Sequence, residues 1–285
     1  IEIDPTWDGG GADNNWSTAA NWSGDAVPTT TNAVTFDSTS TKNCTIDSLG
    51  TWSEGTFTIA STYSGIITQD VAITTGEFSQ AGGTFTGGST NITVNATFTL
   101  SGGTFTSTTG TLSINGNFTP TAGGTFTHNS GTVLFDMNSS RTFDVATSDT
   151  FNHVTINAIG AQNLDIASGD SLIVIGTLTL TNGTVNTGTL EAQGNVTIGS
   201  TFDGGGAPLT FTGTAATQTF TAAAAYGGVV TINKSSGTVD MGTGTIDLDS
   251  FLTISSGELK ATTGTLSIAR NFTHTGGTFT HNSGT

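Results

Sequence analysis

Cysteine and basic residues are scarce in this chain, and each scarcity excludes a class of protein. The 285 residues include one cysteine, Cys44, so neither an intramolecular disulfide nor a cysteine-based zinc site can form. We expect Cys44 to be a small buried residue. Five lysine and arginine residues stand against 21 acidic ones, for a net charge of −16. So few cations cannot neutralise a phosphate backbone or hold an anionic membrane surface, so no nucleic-acid partner is expected.

Long apolar runs and helical patterns are also missing. Charged residues make up only 9% of the chain, against ~25% in typical globular proteins. No stretch of ~20 apolar residues occurs, so we expect no transmembrane segment. No apolar stripe with a 3.6-residue period occurs either, which argues against a helical fold. The chain begins with Ile1, so we expect either a cleaved signal peptide or a piece of a longer protein.

Repetition is what the sequence has in abundance. TTGTLSI at 108–114 returns unchanged at 262–268, and the similarity continues from 115–132 to 269–285. A third copy at 180–198 lies between them, and Asn195 and Asn271 mark a long repeat of 76 residues (271 − 195). Gly-Gly-Thr-Phe-Thr begins at residues 82, 102 and 123, a shorter beat of 20 and 21 residues. Such repeats are typical of stacked arrays.

The short beat predicts the fold. Apolar residues alternate with Thr, Ser and Asn, as in half-buried strands, and Gly-Gly and Asn-Gly pairs mark turns. One unit of ~20 residues cannot bury its apolar side alone, whereas coils stacked at ~4.8 Å can. We therefore predict an all-β, right-handed parallel β-solenoid (β-helix) rather than a β-propeller, whose blades run ~40–50 residues. Its predicted core includes Phe105, Leu112, Ile114, Phe118, Phe126 and Phe272.

The first 50 residues differ from the rest. All four tryptophans, Trp7, Trp16, Trp22 and Trp52, lie within the first 52 positions. We predict an N-terminal cap at 1–50 and a repeat region at 51–285, with roughly 11 coils stacked over ~50–55 Å. Large apolar tryptophans would seal the first coil. The alternative is an exposed row of rings that stacks on sugars.

The sequence also resembles a known group of proteins. W-x-G, N-x-W-S-x-x-x-N-W and P-x-x-x-N-x-V-x-F-D motifs, together with two VTIN-containing repeats, resemble bacterial autotransporter-passenger-like and filamentous-haemagglutinin-like surface proteins. The segments lie at 7–9, 14–22, 28–37, 151–160 and 227–241. The resemblance implies a parallel β-helix that serves as a secreted or cell-surface rod, adhesin or passenger domain.

Candidate chemistry is sparse. Asp8 and Asp13 flank a glycine run whose oxygens could bind Ca²⁺, although we favour a plain acidic turn. Asp247 and Asp249 lie two residues apart on a predicted strand, where they could bind Ca²⁺ or serve a polysaccharide hydrolase or lyase. We favour a solvated face. We therefore predict no catalytic residue and no cofactor other than this weak Ca²⁺ candidate.

The chain termini carry the functional prediction. HNSGT at 281–285 matches 128–132, which continues into Val133, so a further strand is due after residue 285. Uncovered strand edges invite pairing. We predict head-to-tail contacts between copies of this chain. The predicted interface residues are Ile1, Glu2, Ile3, Asp4, Trp7, Trp16, Trp22, Thr278, Phe279 and Thr280.

The predicted function is therefore structural. We expect an extracellular rod or filament subunit, adhesive to extracellular glycans, whose main partner is itself. Two alternatives stay open: a carbohydrate-binding or polysaccharide-degrading β-helix protein, and a fragment of a giant adhesin.

Overall fold

The computed structural model describes residues 4–50, 52–146 and 148–285. The protein is all-β, a parallel β-solenoid of about 12 turns, which confirms the predicted fold class. Among the described residues, the helical structure is a single 3-10 turn at Ala19–Asn21. Nothing in those ranges forms a helix long and apolar enough to cross a membrane.

The chain divides into two compact units. Within the described residues, the first unit runs up to Leu134 and includes Asp144–Ala146. The second consists of Phe135–Phe143 and the residues from 148 onward. The strand β12 (Thr132–Met137) contains the boundary between Leu134 and Phe135.

The first unit contains eleven strands before β12. They are β1 (Val34–Phe36), β2 (Cys44–Ile46), β3 (Phe57–Ile59), β4 (Ile66–Gln69), β5 (Ile73–Thr75), β6 (Phe78–Thr86), β7 (Ile92–Val94), β8 (Phe98–Thr106), β9 (Thr111–Ile114), β10 (Phe118–Pro120) and β11 (Gly124–Thr127). Because β1 pairs with β3 and β2 with β4, coil stacking already begins inside the N-terminal segment predicted as a cap.

Each turn of this unit has three straight segments, which we name faces A, B and C. Face A contains β1, β3, β10 and residues 78–80 and 98–100. Face B contains β2, β4, β11 and residues 84–86 and 104–106. Face C contains β5, β7 and β9. Equivalent strands are parallel, so each position meets its counterpart one turn later.

Phenylalanines fill the core of face A. Phe57, Phe78, Phe98 and Phe118 pair in register. Their successive ring centroids lie 5.4, 5.1 and 5.2 Å apart, with the planes within 20° of each other. The same residue recurs at the same position because the beat is 20 residues here (98 − 78 and 118 − 98). The rings therefore stack as a continuous column.

Most of the predicted core residues are confirmed. Phe105, Leu112, Ile114 and Phe118 are fully buried. Phe126 is half-buried, and its ring stacks on Phe105 at 5.8 Å. Cys44 is also buried, as predicted.

Paired glycines form the corner between faces A and B. Gly103 has φ +72°, a left-handed conformation that disfavours side chains. A Cβ at Gly102 or Gly103 would collide with the carbonyl oxygens of Ala81, Gly82 and Gly83 in the preceding turn. The Gly-Gly beat is therefore required both by the backbone conformation and by close stacking of the coils.

The second unit contains sixteen strands after β12, β13 to β28. They are β13 (Arg141–Phe143), β14 (Ser148–Phe151), β15 (His153–Ala158), β16 (Asn163–Ile166), β17 (Ser171–Val174), β18 (Leu178–Asn186), β19 (Thr189–Ala192), β20 (Val196–Gly204), β21 (Leu209–Phe211), β22 (Thr217–Ala222), β23 (Val230–Asp240), β24 (Ile246–Leu248), β25 (Leu252–Lys260), β26 (Leu266–Ile268), β27 (Phe272–His274) and β28 (Thr278–Thr280).

Turns of the second unit vary in length. Leu178 pairs with Val196, 18 residues later (196 − 178), whereas Val196 pairs with Phe220, 24 residues later (220 − 196). Insertions at the corners absorb this difference while the inward positions stay aligned.

The tryptophans seal the first turn. Trp7, Trp16 and Trp22 are fully buried, and Trp52 is 3% exposed. The ring centroid of Trp22 lies 4.5 Å from that of Trp16 and 5.2 Å from that of Trp7. The rings of all three pack on Phe36. The tryptophans therefore form an aromatic plug, and none of them offers an exposed ring to a sugar.

Candidate functional site

The turn at residues 262–285 has an uncovered side. We call it the terminal coil. Its strands β26, β27 and β28 pair on one side with β24 and β25, and no strand in the described residues pairs with their other side. Thr285 donates its N–H to the carbonyl of Gly264 at 2.8 Å. Its repeat counterpart Thr132 does the same with Gly110 at 3.0 Å, so the repeat geometry is kept.

Apolar side chains of the terminal coil are exposed where their counterparts are buried. Phe272 is 44% exposed, whereas its counterpart Phe118 is fully buried. Leu266 and Ile268 are half-buried, although Leu112 and Ile114 are buried. The prediction that Phe272 belongs to the core is wrong for these residues, because no described strand lies over it.

A small hollow opens beside these side chains. It has a volume of about 150 Å³. Its lining comprises Ala261, Thr262, Leu266, Phe279, His281, Gly284 and Thr285. The Phe279 ring lies 5.4 Å from that of Phe272, so the two rings form one apolar patch. The terminal coil thus combines an unpaired strand edge with uncovered core residues.

The other two interface candidates on β28 have different surroundings. Thr280 donates its hydroxyl to Glu258 at 2.6 Å, while Thr278 is exposed. Hydrogen bonds from Thr280, and then from Thr238, hold the pKa of Glu258 below its usual value. Thr280 is therefore already engaged within its own chain, which leaves Thr278 and Phe279 as the accessible members.

The N-terminal interface candidates are less accessible than predicted. Ile1, Glu2 and Ile3 lie outside the described residues. Asp4 is exposed and accepts a hydrogen bond from the Ala33 N–H at 3.0 Å. Trp7, Trp16 and Trp22 point into the plug, so their rings cannot contact a neighbour. Any contact at this end must therefore use the outer loops of the cap.

A lysine lies among the oxygens of the candidate Ca²⁺ loop. The ammonium of Lys42 donates to the carbonyls of Gly9 at 3.0 Å and Gly11 at 2.6 Å, and to Asn21 Oδ1 at 3.1 Å. Sequence reasoning missed this contact because Lys42 is about 30 residues away, although it is one of only five basic residues. The ammonium already supplies a positive charge to these oxygens.

The two carboxylates of this loop are also engaged. Asp8 accepts a hydrogen bond from the Gly10 N–H at 3.0 Å. Asp13 accepts from the Thr18 hydroxyl at 3.0 Å, which is the main cause of its lowered pKa. Backbone and side-chain hydrogen bonds thus fix the turn, and Ca²⁺ at Asp8 and Asp13 stays a prediction.

The second acidic pair is spread along the end of β24. Asp247 is half-buried beside the run Ala222–Ala225, whereas Asp249 is exposed beyond the strand. The backbone of Tyr226 bridges them, since its N–H reaches the Asp247 carbonyl and its carbonyl accepts from Asp249 N–H, both at 3.0 Å. Across the described ranges, no three His, Cys, Asp or Glu side chains cluster in a way that could hold a metal.

No protein-family model, curated protein or solved structure matches this chain. The resemblance to autotransporter-passenger-like and haemagglutinin-like proteins therefore rests on the sequence motifs, and the structure supports its fold component, the parallel β-solenoid.

Two buried ionisable groups lie outside every predicted site. Burial, and then the nearby charge of Asp170, raises the pKa of Asp149 to about 6. One oxygen of Asp149 is buried without a hydrogen-bond partner. Lys234 is fully buried, and its ammonium contacts Gln218 Oε1, while burial lowers its pKa. No repeat motif marks these positions, because each depends on a local change in turn length.

Proposed function

We propose that this chain is an extracellular structural protein without catalytic activity, a solenoid subunit that joins copies of itself head to tail. The observation that carries the proposal is the uncovered terminal coil. The repeat solenoid fold is compatible with a structural or adhesive role. The extracellular location rests on the sequence resemblance, and antibody labelling of intact cells would test it.

Covering the terminal coil would be energetically favourable. Phe272 is 44% exposed, and Leu266, Ile268 and Phe279 are half-buried. Full burial of one such side chain stabilises by about 1.5–3 kcal/mol. Part of that energy is available when another strand lies over the coil. Its unpaired N–H and C=O groups would gain partners by β-strand addition at the same time.

Charge favours a second copy as the covering partner. Residues 261–285 contain one charged residue, Arg270, and two histidines. Residues 1–25 contain five acidic residues and no basic one. The last coil of one copy and the cap of the next are therefore complementary in charge, which favours correct docking and fast association. A contact between two different surfaces does not close on itself, so it generates filaments.

Two matched variants test this proposal. Phe272→Asp places a charge in the uncovered coil, and Phe251→Asp changes a phenylalanine that is 42% exposed just before β25. We expect electron microscopy and light scattering to show filaments for the native chain and for Phe251→Asp, but only single subunits for Phe272→Asp. High salt should slow assembly. A native chain that stays monomeric at high concentration, or equal effects of the two variants, would overturn the proposal.

A further inference from the structure

Face B of the first unit carries two parallel files of threonine. One file aligns Thr84, Thr104 and Thr125. The second aligns Thr45, Thr68, Thr86, Thr106 and Thr127. These eight residues, which we call the threonine grid, are half-buried or exposed. Faces A and C have only one outward file each, because their segments are three residues long, so the two-dimensional array is specific to face B.

The grid is flat and regular. Between the two files, Phe85, Phe105 and Phe126 stack beneath the surface. Their successive centroids lie 5.0 and 5.8 Å apart, with the ring planes 9° and 14° from parallel. Nearly parallel rings at the same position of each turn show that the strands above them stay in register. The outward threonines are therefore repeated by almost pure translation.

The hydroxyls of the grid are available to water. None of the eight forms a side-chain hydrogen bond with any residue that the structure describes. On face A, by contrast, the hydroxyls of Thr99 and Thr119 bond to each other at 3.2 Å. Each grid residue thus presents one free hydroxyl and one methyl group, and the hydroxyls must satisfy their donors and acceptors with water.

The grid is also free of charge. All eight residues are neutral in a chain of net charge −16, and the one neighbour at the head of the first file is Ile66. In the second unit, the paired strands β23, β25 and β28 place Asp240, Glu258 and Lys260 among their outward threonines. An uncharged surface suits a neutral, ordered partner rather than an ionic ligand.

The grid spacing resembles that of ice. Neighbouring coils lie ~4.8 Å apart, and threonines two residues apart on a strand are separated by ~6.7 Å. With O···O hydrogen bonds of ~2.75 Å, second-neighbour oxygens in a tetrahedral network lie ~4.5 Å apart, and the network repeats every ~7.3 Å along its stacking axis. The differences, about 0.3 and 0.6 Å, are within the reach of a threonine χ1 rotation.

From this correspondence we propose that the threonine grid is an ice-binding surface. Water molecules held by the free hydroxyls and ordered around the methyl groups join the lattice of an ice crystal. The binding energy is the sum of many small contacts over a flat face, each water-mediated contact being nearly as favourable as a direct hydrogen bond. This function is independent of filament assembly, because the terminal coil belongs to the second unit.

Thermal hysteresis and partitioning into slowly grown ice test the proposal on the full chain. The double variant Thr104→Lys/Thr106→Lys places two charges in the centre of the grid. Thr125→Lys changes an exposed grid position, which makes misfolding less of a concern. Thr93→Lys is the matched control, since Thr93 is a half-buried outward threonine on face C. Circular dichroism verifies that each variant keeps its β-structure.

We expect the native chain and Thr93→Lys to shape ice crystals, show hysteresis and enrich in the ice fraction. Both grid variants should fall to the level of a non-binding control protein. Exclusion of the native chain from ice would overturn the proposal, as would equal activity in all variants. A native dimer that Thr125→Lys dissociates in light scattering would also overturn it, because the grid would then be a contact between two copies.

Discussion

The phenylalanine column of face A predicts a large and local loss of stability when one ring is removed. Phe98 is fully buried between Phe78 and Phe118, with centroid distances of 5.1 and 5.2 Å. Its edge also meets the Phe105 ring at 4.9 Å. Phe→Ala substitutions in cores cost about 3–5 kcal/mol. Three aromatic neighbours place Phe98→Ala in the upper half of that range, about 4–5 kcal/mol.

The assay is urea unfolding followed by tryptophan fluorescence. All four tryptophans lie in the first unit, so the signal reports the unit that contains Phe98. Phe98→Leu, which keeps an apolar side chain of similar bulk, should cost only about 1–1.5 kcal/mol. Phe251→Ala, at an exposed site, should change stability by about 0.5 kcal/mol or less.

Hydrogen exchange should show where the loss occurs. Coils contact only their neighbours, so faster exchange should be concentrated in the turns that contain Phe78 and Phe118. The proposed stacking would be refuted by a loss below about 1 kcal/mol for Phe98→Ala, or by equal losses for the alanine and leucine variants.

Two further predictions concern a corner and a buried acid. Gly103→Ala should destabilise by more than about 2 kcal/mol in urea unfolding, because φ is +72° and a Cβ would strike the carbonyls of the previous turn; Gly160→Ala, with φ +67° and open space around it, should cost about 1 kcal/mol, and equal costs would contradict the close-stacking argument. The pKa of Asp149 is raised from 3.8 to about 6, so its proton stabilises the folded state below about pH 4, and that contribution is lost as the pH rises through 6. Thermal melts should therefore show Asp149→Asn to be more stable than the native chain at pH 8 by roughly 1 kcal/mol, with no such gain at pH 4; a gain that does not depend on pH would contradict the assignment.

The repeat register could be read from the sequence because it depends on local rules. Asn117, Asn195 and Asn271 were aligned by spacing alone. In the structure, the carbonyl of each accepts the N–H of the first inward residue one turn earlier, at 2.9, 2.9 and 3.2 Å. Alternation and glycine corners recur at every turn, so one correct turn predicts the next.

The contacts of the cap could not be predicted in this way. The Lys42 ammonium meets Gly9, Gly11 and Asn21 only after the chain has completed a turn. That partnership has no repeat copy and no sequence spacing to reveal it. The tryptophans were predicted both to plug the first coil and to contact a neighbour, and these roles compete for the same rings. Burial in the plug satisfies them within one chain.

Buried polar groups of the second unit were missed for a related reason. Lys234 and Gln218 share a core contact where the spacing between equivalent strands changes from 18 to 24 residues. Gln218 also donates to the carbonyls of Ala192 and Gly194 at 3.0 and 2.7 Å. Irregular turns leave carbonyls without ladder partners, and a long amide side chain fills the gap. Sequence periodicity does not locate such irregularities.

The equivalence of Asn195 and Asn271 has a consequence for how such a gene can evolve. Excision of residues 196–271 would join Asn195 directly to Phe272, and Val196 and Phe272 are both first inward residues of their strands. Inward and outward positions would stay in phase across the new junction. Recombination between near-identical repeats therefore adds or removes whole turns without exposing the core, whereas a shift of one residue would turn every following side chain to the opposite side. Repeat number is thus a trait that selection can change in a single genetic step.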